Sequence, residues 1–206
     1  VTPYQPSLVS PVYSDEGKVI DQFYVERRIL TPLADIPQHF IQAVVAVEDA
    51  RFYEHPALGI IGMARAMWTN IRKGGKVEGA STITQQLARA LLLTPERTYI
   101  RKMKELLLAY KIEAVLSKDQ ILETYLNQIY FGQGAYGVSA AVQTYFGKDL
   151  SKLTLPEAAL LAGLPKSPNN YSPYKNPDRA KRRQEHVLTR MEEAGFITPQ
   201  ARAEAS

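Results

Sequence analysis

The chain has 206 residues, 45% of them apolar and 22% charged, with a formal net charge of +4 and a pI near 9.2. That composition excludes a disordered chain and supports one well-buried core, but it is short for two independent domains. Cysteine is absent and histidine occurs only at His39, His55 and His186, which excludes disulfides and thiol nucleophiles and argues against a zinc site. The basic balance favours an anionic partner (nucleic acid, phospholipid head groups or a phosphorylated substrate) without choosing among them. No apolar run reaches the roughly 18 residues a membrane span needs, and no signal-peptide pattern opens the sequence. The abrupt start and the close inside a helix start read as an excised domain.

In chain order, Pro11-Val12-Tyr13, a turn over residues 14–17 and residues 19–25 predict a hairpin, the only β-like stretch. After Pro37 the period is helical. Asp35 and Pro37 open a helix that carries Phe40, Ile41, Val44, Val45 and Val47 into Glu48-Asp49. A second amphipathic segment over residues 60–72 stops at Gly74-Gly75. Thr82 and Gln85 have capping-box spacing and open a helix that ends before Pro95. Residues 99–116 form a longer helix with Ile100, Met103, Leu106, Leu107, Tyr110 and Val115 as its apolar stripe. Ser117 with Gln120, and Thr154 with Glu157, repeat the capping-box spacing. A proline-rich crossing over residues 164–176 precedes a basic helix from Asn176-Pro177 to near Gly195. The expectation is a mainly α chain with a short N-terminal β-hairpin. Residues 1–35 form an N-terminal extension and residues 36–206 a helical catalytic core, within a single domain 1–206.

Five stretches offer chemistry. In Glu48-Asp49-Ala50-Arg51-Phe52-Tyr53-Glu54-His55 a carboxylate closes an apolar helix, where desolvation suits a general base; alternatively both acids mark a solvated helix end. Glu78-Gly79-Ala80-Ser81-Thr82-Ile83-Thr84-Gln85-Gln86 sets small residues and hydroxyls before a helix N-terminus, which attracts phosphate or simply caps the helix. In the segment from Arg97 to Glu105, Arg101 and Lys102 lie four and three residues before Glu105. That spacing keeps Glu105 ionised and fits a pyrophosphate, unless the charges only pair with one another. Glu123, among Ile121, Leu122 and Leu126, reads as structural in preference to a third catalytic carboxylate. The run Arg179-Ala180-Lys181-Arg182-Arg183 reads as a solvated face, since no nucleic-acid module accompanies it.

Taken together, these segments resemble the peptidoglycan glycosyltransferase family, which comprises the glycan-polymerising domain of class A penicillin-binding proteins and the related monofunctional transglycosylases. The resemblance runs over about residues 36–191. It rests on Glu48-Asp49-x-x-Phe52-x-x-His55, Gly79-x-Ser81-Thr82-Ile83-Thr84-Gln85-Gln86-Leu87, Arg101-Lys102-x-Lys104-Glu105 and Ile121-Leu122-Glu123-x-Tyr125-Leu126-Asn127, in the family's order. It implies a lysozyme-like helical lobe with a smaller membrane-facing jaw. It also implies polymerisation of lipid II into β-1,4-linked glycan, with inversion at the anomeric carbon and release of undecaprenyl pyrophosphate.

Carried over by position, Glu48 matches the catalytic base and Glu105 the second catalytic glutamate. Substrate-binding positions are Asp49, Phe52, Ser81, Thr82, Gln85, Gln86, Arg89, Arg97, Arg101 and Lys102. Ile60, Ile61, Met63, Met67 and Trp68 fall on the membrane-facing jaw. Two positions depart from the family pattern: Ala57 replaces a usual glycine, and Arg89-Ala90 replaces a frequent Lys-Asn, with Arg89 keeping the charge. The resemblance implies no obligatory cofactor, although a divalent cation (Mg or Mn) can serve at the diphosphate. The implied partners are lipid II, the growing glycan chain and a membrane surface, with no nucleic acid. The implied place is the outer face of a bacterial cytoplasmic membrane, with an N-terminal anchor and a C-terminal transpeptidase domain in the parent chain. A lysozyme-like hydrolase or lytic transglycosylase, and a non-catalytic membrane-surface scaffold, are the competing readings.

Overall fold

A computed structural model describes residues 10–13, 19–23, 27–54, 81–92 and 99–206. The hairpin turn, His55, the amphipathic segment over residues 60–72 and Arg97 lie outside the described residues.

Helix α1 (Gln38–Glu48) is the apolar axis of the molecule. Pro37 at its N-cap supplies a φ of −55° already suited to helix entry. Phe40, Ile41, Ala43, Val44, Val45 and Ala46 are all buried, so the helix is covered on most of its circumference. Phe40 meets Phe131 with ring centroids 6.3 Å apart, and truncating such a buried ring costs roughly 3–5 kcal/mol.

Around it, in chain order, stand α2 (Ile83–Leu91), α3 (Tyr99–Val115), α4 (Lys118–Gln128), α5 (Val138–Phe146), α6 (Leu155–Gly163), α7 (Pro177–Glu193) and α8 (Pro199–Ala205). Helices α6 and α7 pack on α1, and α2 packs on α3 and α4. The Ala158, Ala159, Ala162 and Gly163 face of α6 permits close approach. A Cβ at Gly163 would lie 2.8 Å from Arg183 Cγ, so only glycine lets the α7 arginine pass inward.

The expected capping boxes at Ser117/Gln120 and Thr154/Glu157 are present at the starts of α4 and α6. At α2 half of one forms, with Thr82 Oγ1 accepting from the Gln85 N–H at 3.2 Å. Buried Glu113 joins three helices, accepting from Thr84 Oγ1 at 2.5 Å and from Lys118 Nζ at 3.0 Å. The α4 residues Glu123 and Asn127 fasten the segment before α1. Glu123 accepts from the Leu33 N–H at 2.7 Å, and Asn127 exchanges two 2.8 Å bonds with the Thr31 backbone. Glu123 therefore has the structural role expected of it.

Two expectations need correction. The hairpin forms from β1 (Ser10–Tyr13) and β2 (Val19–Phe23), but β structure is not confined to it. A three-stranded sheet of order β3-β5-β4 joins β3 (Arg27–Arg28), β4 (Tyr130–Gly132) and β5 (Ala135–Tyr136). Strands of two and three residues are too short to show a period. The glycines there serve tight turning: Gly137 has φ 82°, and a Cβ would lie 2.8 Å from the Asn127 carbonyl oxygen.

The second correction concerns α3. Its buried face is Glu105, Ala109 and Ile112, at i, i+4 and i+7, whereas Ile100, Met103, Leu107, Tyr110 and Val115 of the expected core stripe are exposed. Of that stripe only Leu106 packs partly on the core.

Candidate active site

Helix α1 ends at Glu48 because Asp49 leaves helical geometry, with φ −161° and ψ 74°. The Asp49 carboxylate then turns to α2, where Oδ2 accepts from the Ile83 N–H at 3.3 Å. An acceptor there suits the unpaired amides and positive end of a helix dipole. One residue thus terminates α1 and docks the start of α2 beside Glu48.

From α2, Gln86 Nε2 donates to Glu48 Oε2 at 2.7 Å, and the Tyr125 hydroxyl donates to Gln86 Oε1 at 3.1 Å. Tyr125 is buried; burial, then the charge of Glu48, pushes its phenol well above the usual range and keeps it protonated. A permanent donor at Oε1 fixes the orientation of the Gln86 amide, so its NH₂ group meets the carboxylate. Glu48 Oε1 is buried and accepts no hydrogen bond among the described residues; Arg183 Nη2 lies 3.9 Å from it. Arg183 is itself buried and reaches back to the Gly163 carbonyl at 3.3 Å.

A second constellation lies at the opposite end of the first turns of α2. Lys102 Nζ donates to Ser81 Oγ at 3.3 Å and pairs with Glu105 Oε2 at 3.1 Å. Arg101 Nε lies 3.5 Å from Glu105 Oε1. Glu105 is 2% exposed, while Lys102 keeps 27% of its side chain open. The carboxylate is an internal counter-ion that holds two cations at the rim. Ser81 precedes the Thr82 N-cap and Gln86 lies in the first turn of α2, so the two constellations meet this helix start at different points.

The structure thus gathers Glu48 and Gln86 in one group and Ser81, Arg101, Lys102 and Glu105 in another, with Asp49 docking the helix between them. Phe52, Thr82 and Gln85 are buried. Phe52 lies under Lys118 Nζ, 4.7 Å from its ring centroid. Arg89 is exposed in the last turn of α2. Arg97, Ile60, Ile61, Met63, Met67 and Trp68 lie outside the described residues. Two participants were missed from sequence, Tyr125 and Arg183. Tyr125 sat in a core-like segment, and Arg183 in a basic run taken as solvated.

Comparisons with known proteins identify the family. The family described as Transglycosylase matches residues 16–192. Penicillin-binding protein 1A of Neisseria flavescens is 52% identical over 202 residues, covering 98% of this chain and 25% of that protein. Its counterpart in Rickettsia felis is 45% identical over 205 residues, covering 98% of this chain and 26% of that protein. The chain therefore spans about a quarter of the length of the curated relatives it matches. Among solved structures, penicillin-binding protein 1A from Haemophilus influenzae superposes with a TM-score of 0.54 at 28% identity, covering 99% of this chain and 20% of that one. The mainly α, lysozyme-like architecture expected from the sequence is the one found, and the chain belongs to the transglycosylase family, the peptidoglycan glycosyltransferases that its motifs resemble.

Proposed function

We propose that this domain polymerises lipid II into β-1,4-linked glycan strands, inverting the anomeric carbon and releasing undecaprenyl pyrophosphate. The observation that carries the reading is the separation of two chemistries along α2. At one end is a carboxylate held by a neutral amide, and at the other are half-buried cations held by a buried carboxylate. In this mechanism Glu48 takes the proton from the acceptor hydroxyl, with Gln86 fixing the orientation of its carboxylate. The departing diphosphate is already a good leaving group, so it needs positive charge more than a proton. Lys102 and Arg101 supply that charge, Ser81 and the α2 N-terminus add donors, and Arg97 belongs to the same group by position. Positioning two large lipid-linked substrates contributes much of the remaining acceleration.

Both Glu105 oxygens are engaged by cations and the side chain is buried, so it suits orienting Lys102 better than holding a divalent cation. No step therefore passes through a metal. An apolar surface fits a lipid-linked donor. Ile100, Met103, Leu107 and Tyr110 repeat at i, i+3, i+7 and i+10 on the exposed face of α3, at 68%, 53%, 59% and 40% exposure. Such a stripe is the pattern of a helix lying against a lipid interface. The proposal places the domain on the outer face of a bacterial cytoplasmic membrane, anchored by an N-terminal helix, within a longer chain that includes a transpeptidase.

Incubation of the domain with fluorescent lipid II in detergent tests the reading. A ladder of lengthening glycan is expected, and none from Glu48→Gln. Degradation of finished glycan without a ladder would instead establish a glycan-cleaving enzyme.

A further inference from the structure

Beside this site, α7 places Arg179, Arg182, Arg183 and His186 at i, i+3, i+4 and i+7, one helix face that shares Arg183 with the surroundings of Glu48. With Lys166 from the preceding crossing they line a hollow of about 490 Å³, backed by Tyr171, whose ring lies 5.7 Å from the Arg183 guanidinium carbon. Among the described residues no carboxylate lines it, and no ion pair joins Asp178 or Glu185 to these cations.

The arrangement is electrostatically unfavourable as it stands. Like charges three and four residues apart repel, and cations in the N-terminal half of a helix oppose its dipole. Arg183 alone has a partial counter-charge, the Glu48 carboxylate at 3.9 Å. The repulsion registers at His186. Burial first, then the charges of Arg183, Lys166 and Arg190, hold its imidazole below the ordinary range, against the opposing pull of Glu193.

We propose that this hollow is a binding site for a ligand that carries two or more closely spaced oxyanion charges. A single negative charge would leave most of the repulsion among four permanent cations in place. The volume falls in the range of small-molecule sites. Two sources have the required chemistry: the diphosphate of a lipid-linked sugar, and the clustered carboxylates of a peptide-bearing glycan. The site goes beyond the transfer reaction; it shares Arg183 with the surroundings of Glu48, and its test reads anion binding and not turnover.

The chain has three histidines, so the His186 ring can be followed by NMR while the protein is titrated with inorganic pyrophosphate and, in parallel, with citrate at constant ionic strength. Binding brings negative charge beside the imidazole, so its pKa rises. His39, which is bonded to the Leu153 carbonyl elsewhere, does not respond. Arg179 and Arg182 are exposed, so R179E/R182E retains the fold; it should lose the response and weaken binding at least about tenfold. Lys102→Ala should keep the response, which separates this hollow from the cations beside Ser81. The more effective anion identifies the source. A His186 ring unmoved by either anion, or a response undiminished in R179E/R182E, overturns the proposal.

Discussion

Glu48 and Glu105 are both largely buried carboxylates reached from the first turns of α2, but their surroundings are opposite. Glu48 is held by a neutral amide at 2.7 Å, and its nearest cation is 3.9 Å from its other oxygen. Glu105 faces a cation at each oxygen, at 3.1 and 3.5 Å. A carboxylate paired with two cations is committed to holding and orienting them. One that is aligned by a neutral amide is held in place without a full positive charge in hydrogen-bond contact. The contrast shows how one helix start serves two chemistries without mixing them.

Removing the base breaks the comparison most directly. Glu48→Gln should lower polymerisation by about 10³-fold or more while lipid II binding stays within about twofold, because a bond made only in the transition state is lost. Near-normal turnover in this variant would end the base assignment. Lys102→Ala attacks the other side, with an expected loss of about 10²-fold in kcat/KM. Here substrate binding should weaken as well, since a cation that meets the diphosphate acts before and during transfer. Fluorescent lipid II binding measured beside the polymerisation rate distinguishes the two patterns, and equal behaviour of the two variants would remove the distinction between the constellations.

A smaller change tests whether the orientation of Glu48 matters. Tyr125→Phe removes the hydrogen bond to Gln86 and leaves the Gln86–Glu48 bond in place. A net value of about 0.5–1.5 kcal/mol for that bond corresponds to roughly a three- to tenfold fall in kcat. KM should not change. A change in KM alone would indicate that Tyr125 shapes the cleft without positioning the base.

How far the sequence revealed these features follows the range of the interactions. Helix α1 was legible to its last residue, because Pro37, a dense apolar run and Glu48-Asp49 are local signals. Two capping boxes were read from a spacing of three residues for the same reason. The α3 stripe was seen but its direction was not. Periodicity marks an apolar face, whereas the neighbouring helices decide which face is buried, and here that face centres on Glu105. Arg183 was lost among surface arginines because its inward path depends on Gly163, twenty residues earlier, and on Glu48, far away in sequence. Tyr125 was hidden in another way, since a buried tyrosine in a core-like helix reads identically whether or not its hydroxyl finds a functional partner.

Glu157 extends the comparison to a carboxylate with no part in the site. Burial raises its pKa, but hydrogen bonds from Lys148 and from the Thr154 hydroxyl and backbone N–H outweigh that effect and hold it below its ordinary value of 4.5. A folded-state pKa below the unfolded one contributes stability that is present above about pH 4.5 and is lost as pH falls through the lower folded value. Because a quarter of the side chain is exposed, the contribution is screened to about 0.5–1 kcal/mol. Glu157→Gln should therefore unfold at lower urea than the parent at pH 7, and the gap should be smaller at about pH 3, because it narrows as pH falls below 4.5. Turnover per folded molecule at pH 7 should be unchanged, since α6 is capped there without any contact to Glu48 or Lys102. A gap of equal size at both pH values would mean that shape alone, and not charge, secures the start of α6. A loss of turnover with the fold intact would show that the scaffold and the two constellations are coupled more tightly than their separate hydrogen-bond networks suggest.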